Sequence, residues 1–213
     1  MSQSKELYEA ILNGEAKKAH DVTQAAVAAG IEPMALIAES MVPAMDEVGR
    51  LFEAEEYFVP ELLLAGRAMK SAMELLRPLM VASGEKLSAK VVIGTVKGDL
   101  HDIGKNIVAS MLEGSGFEVV DLGADVAPEK FVAAVNEQEP QVVCLSALLT
   151  VTMPAMKTTI DALKTAGVRT RVKVLIGGAP GTMQYAREIG ADGYSENASG
   201  AVGLVRSLLT ETK

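Results

Sequence analysis

The sequence predicts an α/β protein in two parts: an N-terminal four-helix bundle cap, then a doubly wound five-stranded parallel sheet. Two observations carry this. Up to about residue 86, apolar residues recur at spacings of three and four. From residue 90 onward, short β-branched runs alternate with helical stretches. A chain of 213 residues is long enough for two small domains, expected at 1–86 and 87–213.

The helical half reads in order. Ser4 to Leu12 stops at Asn13-Gly14, a helix-ending pair. Glu15 to Ala29 is alanine-rich and closes at Gly30. A third helix starts at Pro33, a favoured first-turn position, and carries Met34, Ile37, Met41, Ala44 and Val48 on one face. Pro43 falls inside that pattern and is expected to kink or break it. A fourth helix starts at Pro60, with Leu62, Gly66, Met69, Met73, Leu76 and Met80 as its apolar stripe. The methionines read as core filler, and His20 reads as a surface residue of the second helix. Residues 81–89 lack a period and read as a linker.

Beyond the linker, strands are expected at 90–96, 117–123, 141–147 and 172–178, with a short fifth within 190–195. Helices are expected at 103–114, 128–138, 153–166, 182–189 and 198–210. Alternation implies parallel strands with right-handed crossovers, and near-continuous apolar strands imply a sheet covered on both faces. The size fits the flavodoxin-like order 2-1-3-4-5. Ligands of such sheets bind beyond the C-terminal strand ends, where the first and third strands diverge.

Composition removes several functions. Twenty basic against 28 acidic residues give a net charge of −8, and only four Tyr, four Phe and no Trp are present. Nucleic acid is disfavoured, because phosphates need a basic footprint and bases need aromatic platforms. No apolar run is long enough for a membrane span, and the polar start MSQSKELYEA resembles no secretory signal. Cys144 is the single cysteine, mid-strand and expected in the core; it forms no disulfide within the chain and fits a reducing cytoplasm.

After the first strand the chain reads Gly98-Asp99-Leu100-His101-Asp102-Ile103-Gly104-Lys105-Asn106. An aspartate that accepts from one ring nitrogen of a histidine fixes the tautomer and raises the basicity of the other nitrogen. Spacing alone leaves His101 open as an ordinary polar loop residue. A zinc site is implausible, because zinc takes three or four protein ligands and no second His or Cys lies nearby. A metal that brings its own equatorial ligands, as in a tetrapyrrole, removes that objection.

The same run resembles the D-x-H-x-x-G signature of cobalamin-binding domains. Its form is similar to methionine synthase and to the corrinoid proteins of methylotrophic and acetogenic methyltransferase systems. The likeness continues through Ser146-Ala147-Leu148-Leu149-Thr150, Gly177-Gly178-Ala179 and Tyr194-Ser195-Glu196-Asn197-Ala198. Upstream, Met45 to Phe52 and Phe58 to Glu61 resemble the helical cap that precedes those domains.

The resemblance implies a corrinoid, cobalamin or a relative, with His101 as the lower axial ligand of cobalt. It implies Asp99 as the partner of His101, with Thr152 completing the relay where methionine synthase has a serine. It implies that Ser146 and Thr150 bind the displaced nucleotide tail and that Gly104, Gly177 and Gly178 leave its slot open. Gly98, Asp102, Ile103, Leu148 and Ala179 fall at corrin or nucleotide contacts, as do Tyr194, Asn197 and Ala198. Phe58 and Leu62 are expected to cover the cobalt-bound methyl group.

The function implied is a methyl carrier rather than a complete enzyme. Its partners would be a substrate-specific methyltransferase, a second methyltransferase with a pterin or thiol acceptor, and a reductive activase. A cobalamin-dependent isomerase subunit would need a substrate barrel, and a cobalamin-sensing regulator a basic DNA-binding head; residues 1–86 resemble neither.

Overall fold

The computed structural model describes residues 3–83 and 89–210. The middle of the expected linker, 84–88, lies outside the described residues. The chain divides into two compact units: Met1–Ser88 with Ser110–Phe117, and Ala89–Ala109 with Glu118–Lys213.

The helical unit contains α1 (Gln3–Leu12), α2 (Ala16–Ala28), α3 (Pro33–Leu36), α4 (Val42–Glu53) and α5 (Val59–Ser83). Helix α1 packs on α2, α4 and α5, and α2 packs on α5. Leu7, Ile11, Leu36, Met41, Met45, Met69, Met73 and Leu76 are buried; of the expected third-helix face Ile37, Met41, Ala44 and Val48 are buried and Met34 is half-buried. Asn13 and Gly14 end α1, with Gly14 in a left-handed conformation at φ 69°. The start of α5 is set by Glu61, whose Oε2 accepts the Phe58 backbone N–H at 2.9 Å.

Pro43 neither breaks the third helical rod nor stands in a regular one. A π turn, Ile37–Met41, joins α3 to α4 and leaves Pro43 in the first turn of α4. Proline has no N–H, and its ring collides with the carbonyl four residues back, here that of Glu39 inside the π turn. Widening the ladder at that point relieves the collision without ending the helix.

The second unit contains β1 (Lys90–Thr95), α6 (Ile103–Gly114, whose C-terminal half belongs to the first unit), β2 (Glu118–Asp121), α7 (Pro128–Gln138) and β3 (Val142–Ser146). It continues with α8 (Pro154–Thr165), β4 (Lys173–Gly177), α9 (Met183–Ile189), β5 (Gly193–Ser195) and α10 (Ala198–Thr210). The strands form one five-stranded sheet in the order β2-β1-β3-β4-β5. All four pairings are parallel. Val92, Val143, Leu145, Val174 and Ile176 pack with Phe131 of α7 and Met156, Ile160 and Leu163 of α8. Cys144 is buried within the sheet.

In register, Thr95 of β1 stands beside Ser146 of β3, and Ser146 beside Gly177 of β4. The three strands therefore end level with one another. The loops 97–102, 147–153 and 178–182 leave the sheet at this edge. Among the described residues no helix is long and apolar enough to cross a membrane.

Candidate functional site

The loop after β1 turns at Gly98, with φ 84°, which sends the next residue back toward the sheet. Asp99 is wholly buried there. Its Oδ1 accepts the His101 backbone N–H at 3.0 Å and stands 2.9 Å from His101 Nδ1. Its Oδ2 accepts the Leu148 backbone N–H at 2.8 Å and the Thr152 hydroxyl at 2.6 Å.

Burial raises the pKa of Asp99. The hydrogen bonds from Thr152, from the backbone N–H groups of His101 and Leu148, and from the His101 ring outweigh that effect. The carboxyl is held well below the usual carboxylate range and is ionised at neutral pH. An ionised carboxylate only accepts, so Nδ1 of His101 carries a proton, and in the neutral tautomer this selects, Nε2 keeps its lone pair. The His101 side chain is 50% exposed, whereas its aspartate partner is not exposed at all. A donor nitrogen is thus offered to solvent on a buried anionic anchor.

Thr152 occupies the turn that leads into α8. Its single hydroxyl proton lies within reach of Asp99 Oδ2 and, at 2.9 Å, of the Leu149 carbonyl. The shorter contact is to the carboxylate, and only there does a proton meet a full negative charge. His101, Asp99 and Thr152 therefore form one hydrogen-bonded set.

The turn after β4 needs glycine for a different reason. Gly178 has φ 122°, and a Cβ there would lie 1.8 Å from the Ala147 carbonyl oxygen. Gly178 lets the β3 and β4 turns pass at backbone contact. Gly104, in the first turn of α6, is the opposite case: a Cβ there would meet nothing within 4 Å.

Other expected residues line the same edge of the sheet. Ser146 ends β3, Gly177 ends β4, and Leu148, Thr150 and Ala179 are exposed on the turns that follow. Asp102 accepts the Asn106 N–H at 2.8 Å and opens α6, leaving Ile103 69% exposed. Tyr194 lies on β5 beside Ile176. Asn197 caps α10 through Oδ1, which accepts the Gly200 N–H at 2.7 Å, with Ala198 buried behind it. Tyr194, Ser195, Asn197 and Leu204 line an open groove of about 470 Å³.

The two cap residues part company. Phe58 is 61% exposed at the start of α5, whereas Leu62 is 2% exposed in the core of the helical unit. Leu62 belongs to the apolar stripe of α5.

Sequence reasoning passed over an apolar rim. Leu100, Leu149 and Val151 on the loops at this edge and Met183 at the start of α9 are exposed large hydrophobic residues, alongside Leu148 and, at the start of α6, Ile103. Their signal was apolar side chains in loops that ordinary turn chemistry fills with polar residues. It also passed over Asp125, Asp121 and Lys105. The Lys105 side chain is 1% exposed; it pairs with Asp121 and donates to Asn106 Oδ1 at 2.6 Å, tying the start of α6 to the end of β2.

The donor set tests which group this edge can hold. No three His, Cys, Asp or Glu side chains gather into a metal cage among the described residues. One imidazole donor, a rim of apolar side chains and glycine-bearing turns suit a broad macrocycle that brings most of its metal's ligands itself.

Comparison with known proteins agrees. Residues 89–203 match the B12 binding domain, and residues 3–77 match a second family with the same description. Trimethylamine corrinoid protein 1 of Methanosarcina acetivorans is 45% identical over 203 residues, 94% of this chain and 94% of that protein. The methanol:cobalamin methyltransferase complex of Methanosarcina barkeri superposes with a TM-score of 0.87 at 32% identity, covering 98% of this chain and 80% of that one. A cobalamin-binding protein of Desulfitobacterium hafniense DCB-2 gives a TM-score of 0.77 at 37% identity, covering 94% of this chain and 96% of that one.

Proposed function

The chain belongs to the B12-binding family of corrinoid proteins, and from that premise we propose that it carries a methyl group for a methyltransferase acting on a methylamine. The observation that carries the carrier reading is the buried Asp99 carboxylate holding His101 with Nε2 free, in a chain that aligns almost end to end with a trimethylamine corrinoid protein. That alignment supports the methylamine class.

When bound, the corrinoid supplies a cobalt centre that accepts a methyl group and gives it up again. His101 would hold the metal through Nε2. Asp99 fixes the ring and keeps the proton on Nδ1, and Thr152 steadies Asp99 by donating to its other oxygen. The exposed side chains of Leu100, Ile103, Leu148, Leu149 and Val151 would seat the macrocycle and shed water from it. Ser146 and Thr150 would bind the nucleotide tail, with Gly104 leaving room and Gly177 and Gly178 bringing bare backbone alongside. Gly98, Asp102, Ala179, Tyr194, Asn197 and Ala198 would complete the contacts.

The protein works with methyltransferases and performs no complete reaction alone. One would load the methyl group, and a second would pass it to a pterin or a thiol. A reductive activase would restore cofactor lost to oxidation. A cytoplasmic setting fits a single cysteine that is buried as a free thiol. Isomerase and regulator readings lose ground to relatives that are methylamine corrinoid proteins over nearly their whole length.

The test loads the full chain with hydroxocobalamin. The loaded protein is then reduced and mixed with purified trimethylamine, dimethylamine and methanol methyltransferases, each with its substrate. Visible spectra are expected to report methylation with an amine enzyme. A response to the methanol enzyme alone would move the donor to the alcohol class, and failure to retain the corrinoid would overturn the carrier itself.

A further inference from the structure

Asp125 lies in the β2–α7 connection, remote in sequence from the His101 loop, yet it grips three consecutive residues of that loop. Its backbone N–H donates to the Asp99 carbonyl at 2.9 Å. Its Oδ1 accepts the Gly98 N–H at 2.8 Å. Its carboxylate also pairs with the Lys97 ammonium, 3.0 Å from Oδ1. We propose that Asp125 is a positioning residue for the axial ligand, holding residues 97–99 in the form that sets Asp99 beneath the His101 ring.

Backbone conformation argues for a dedicated role. Asp125 is one of few non-glycine residues with positive φ, at 53°, and Gly98 opposite it has φ 84°. A side-chain-bearing residue in the left-handed region is uncommon, and aspartate and asparagine are the types that tolerate it. The conformation turns the Asp125 N–H and carboxylate toward the same neighbouring loop. Hydrogen bonds from Gly98 and Lys97 also hold its carboxyl below the usual carboxylate range.

Neighbouring contacts act on the same loop. Thr95 is buried, its hydroxyl donates to the His101 carbonyl at 2.8 Å, and its backbone N–H is taken by the Gly123 carbonyl at 2.9 Å. Val126 N–H returns to the Thr95 carbonyl at 2.9 Å. The segment 123–126 thus holds the ligand loop at Thr95 from within and at Lys97 to Asp99 from the rim. Lys97 and Asp125 are 58% and 41% exposed, so the rim grip adds little to the core. Its contacts end on the loop that carries the ligand.

This inference rests on His101 as the axial donor, and the experiment separates the two. Full-length protein is prepared with natural and with ¹⁵N-labelled histidine, loaded with cobalamin and reduced to cobalt(II). Electron paramagnetic resonance then reports axial nitrogen, and only nitrogen from the protein changes its splitting with the label. Asp125→Gly removes the carboxylate while keeping the left-handed backbone free of strain. It is expected to lower the ratio of histidine-coordinated to uncoordinated cobalt by about tenfold, the worth of one charge-assisted hydrogen bond. Asp125→Asn keeps an oxygen for the Gly98 N–H and is expected to restore most of the ratio.

Label-sensitive splitting in wild type that is unchanged in Asp125→Gly would overturn the positioning role and leave His101 in place. Equal loss in the glycine and asparagine variants, with a matching collapse in thermal midpoint, would also overturn it, because the role would then be structural. Splitting in wild type that ignores the label would instead overturn His101 as the ligand.

Discussion

Oδ1 of Asp99 lies 2.9 Å from Nδ1 of His101, and the carboxylate is fully buried while the imidazole is half exposed. The arrangement commits the ring proton to the inner nitrogen and leaves the outer one as a donor. Asp99→Asn tests this commitment. Five hydrogen-bond donors now meet the two carboxylate oxygens, so whichever side receives the amide NH₂ places donors against donors. The cofactor-free variant is expected to lose about 1–3 kcal/mol in urea unfolding. Once loaded, it is expected to show weaker histidine coordination by paramagnetic resonance.

Thr152 separates shape from hydrogen bonding. Thr152→Val keeps the volume and deletes the hydroxyl that meets Asp99 Oδ2 at 2.6 Å. The loss is expected to be about 1–3 kcal/mol, because a buried carboxylate forfeits a donor. Thr152→Ser keeps the hydroxyl and is expected to recover most of that loss. Equal unfolding midpoints for the valine variant and wild type would show that the hydroxyl does no work in the folded protein.

Two glycines at the same edge predict opposite behaviour. Gly178→Ala places a methyl group 1.8 Å from the Ala147 carbonyl oxygen at φ 122°, and the turns must separate. A stability loss of at least ~2 kcal/mol is expected from strain and broken contacts. Gly104→Ala meets nothing within 4 Å, and alanine suits a helix better. The cofactor-free protein is expected to hold its stability or gain up to ~1 kcal/mol. Corrinoid retention on a desalting column is expected to fall, since the proposed site uses the space a methyl group would occupy.

Much of this fold was legible because its signals are local. Val91 to Ile93 and Val142 to Leu145 are apolar without interruption, as strands covered on both faces must be, and each run ends at a turn. The pairing of Asp99 with His101 was legible for the same reason, two residues apart on one loop. Leu62 shows two signals in conflict: its spacing with Met69, Met73 and Leu76 marked it as core, whereas resemblance marked it as cover. In the structure that stripe is buried, Leu62 with it. Pro43 announced a disturbance but not its form, since a π turn is a compromise between the proline ring and packing on both sides. Asp125 gave no sign. Its partners lie on another loop, and only the parallel pairing of β1 with β2 brings them together.

Cys144 gives a pH dependence with a defined sign. Burial pushes its thiol up from 9.0 to about 12. Well below pH 9 the thiol is protonated in both folded and unfolded chains and contributes no slope. Between 9.0 and about 12 the unfolded chain releases its proton while the folded chain keeps it, so stability is lost as pH rises. The slope from this one group approaches ~1.4 kcal/mol per pH unit. Tyrosines titrate in the same range, so the measurement is a difference: urea unfolding of wild type and Cys144→Ala at a series of pH values from 8 to 10.5. Alanine is expected to lower stability at pH 8 through the lost sulfur packing and to narrow the gap as pH rises. Alkylation by iodoacetamide at pH 8 is expected to be negligible in the folded protein and complete in denaturant. A gap between the two proteins that stays constant with pH would mean that the folded thiol ionises as readily as the unfolded one, and that the sheet around Cys144 admits water.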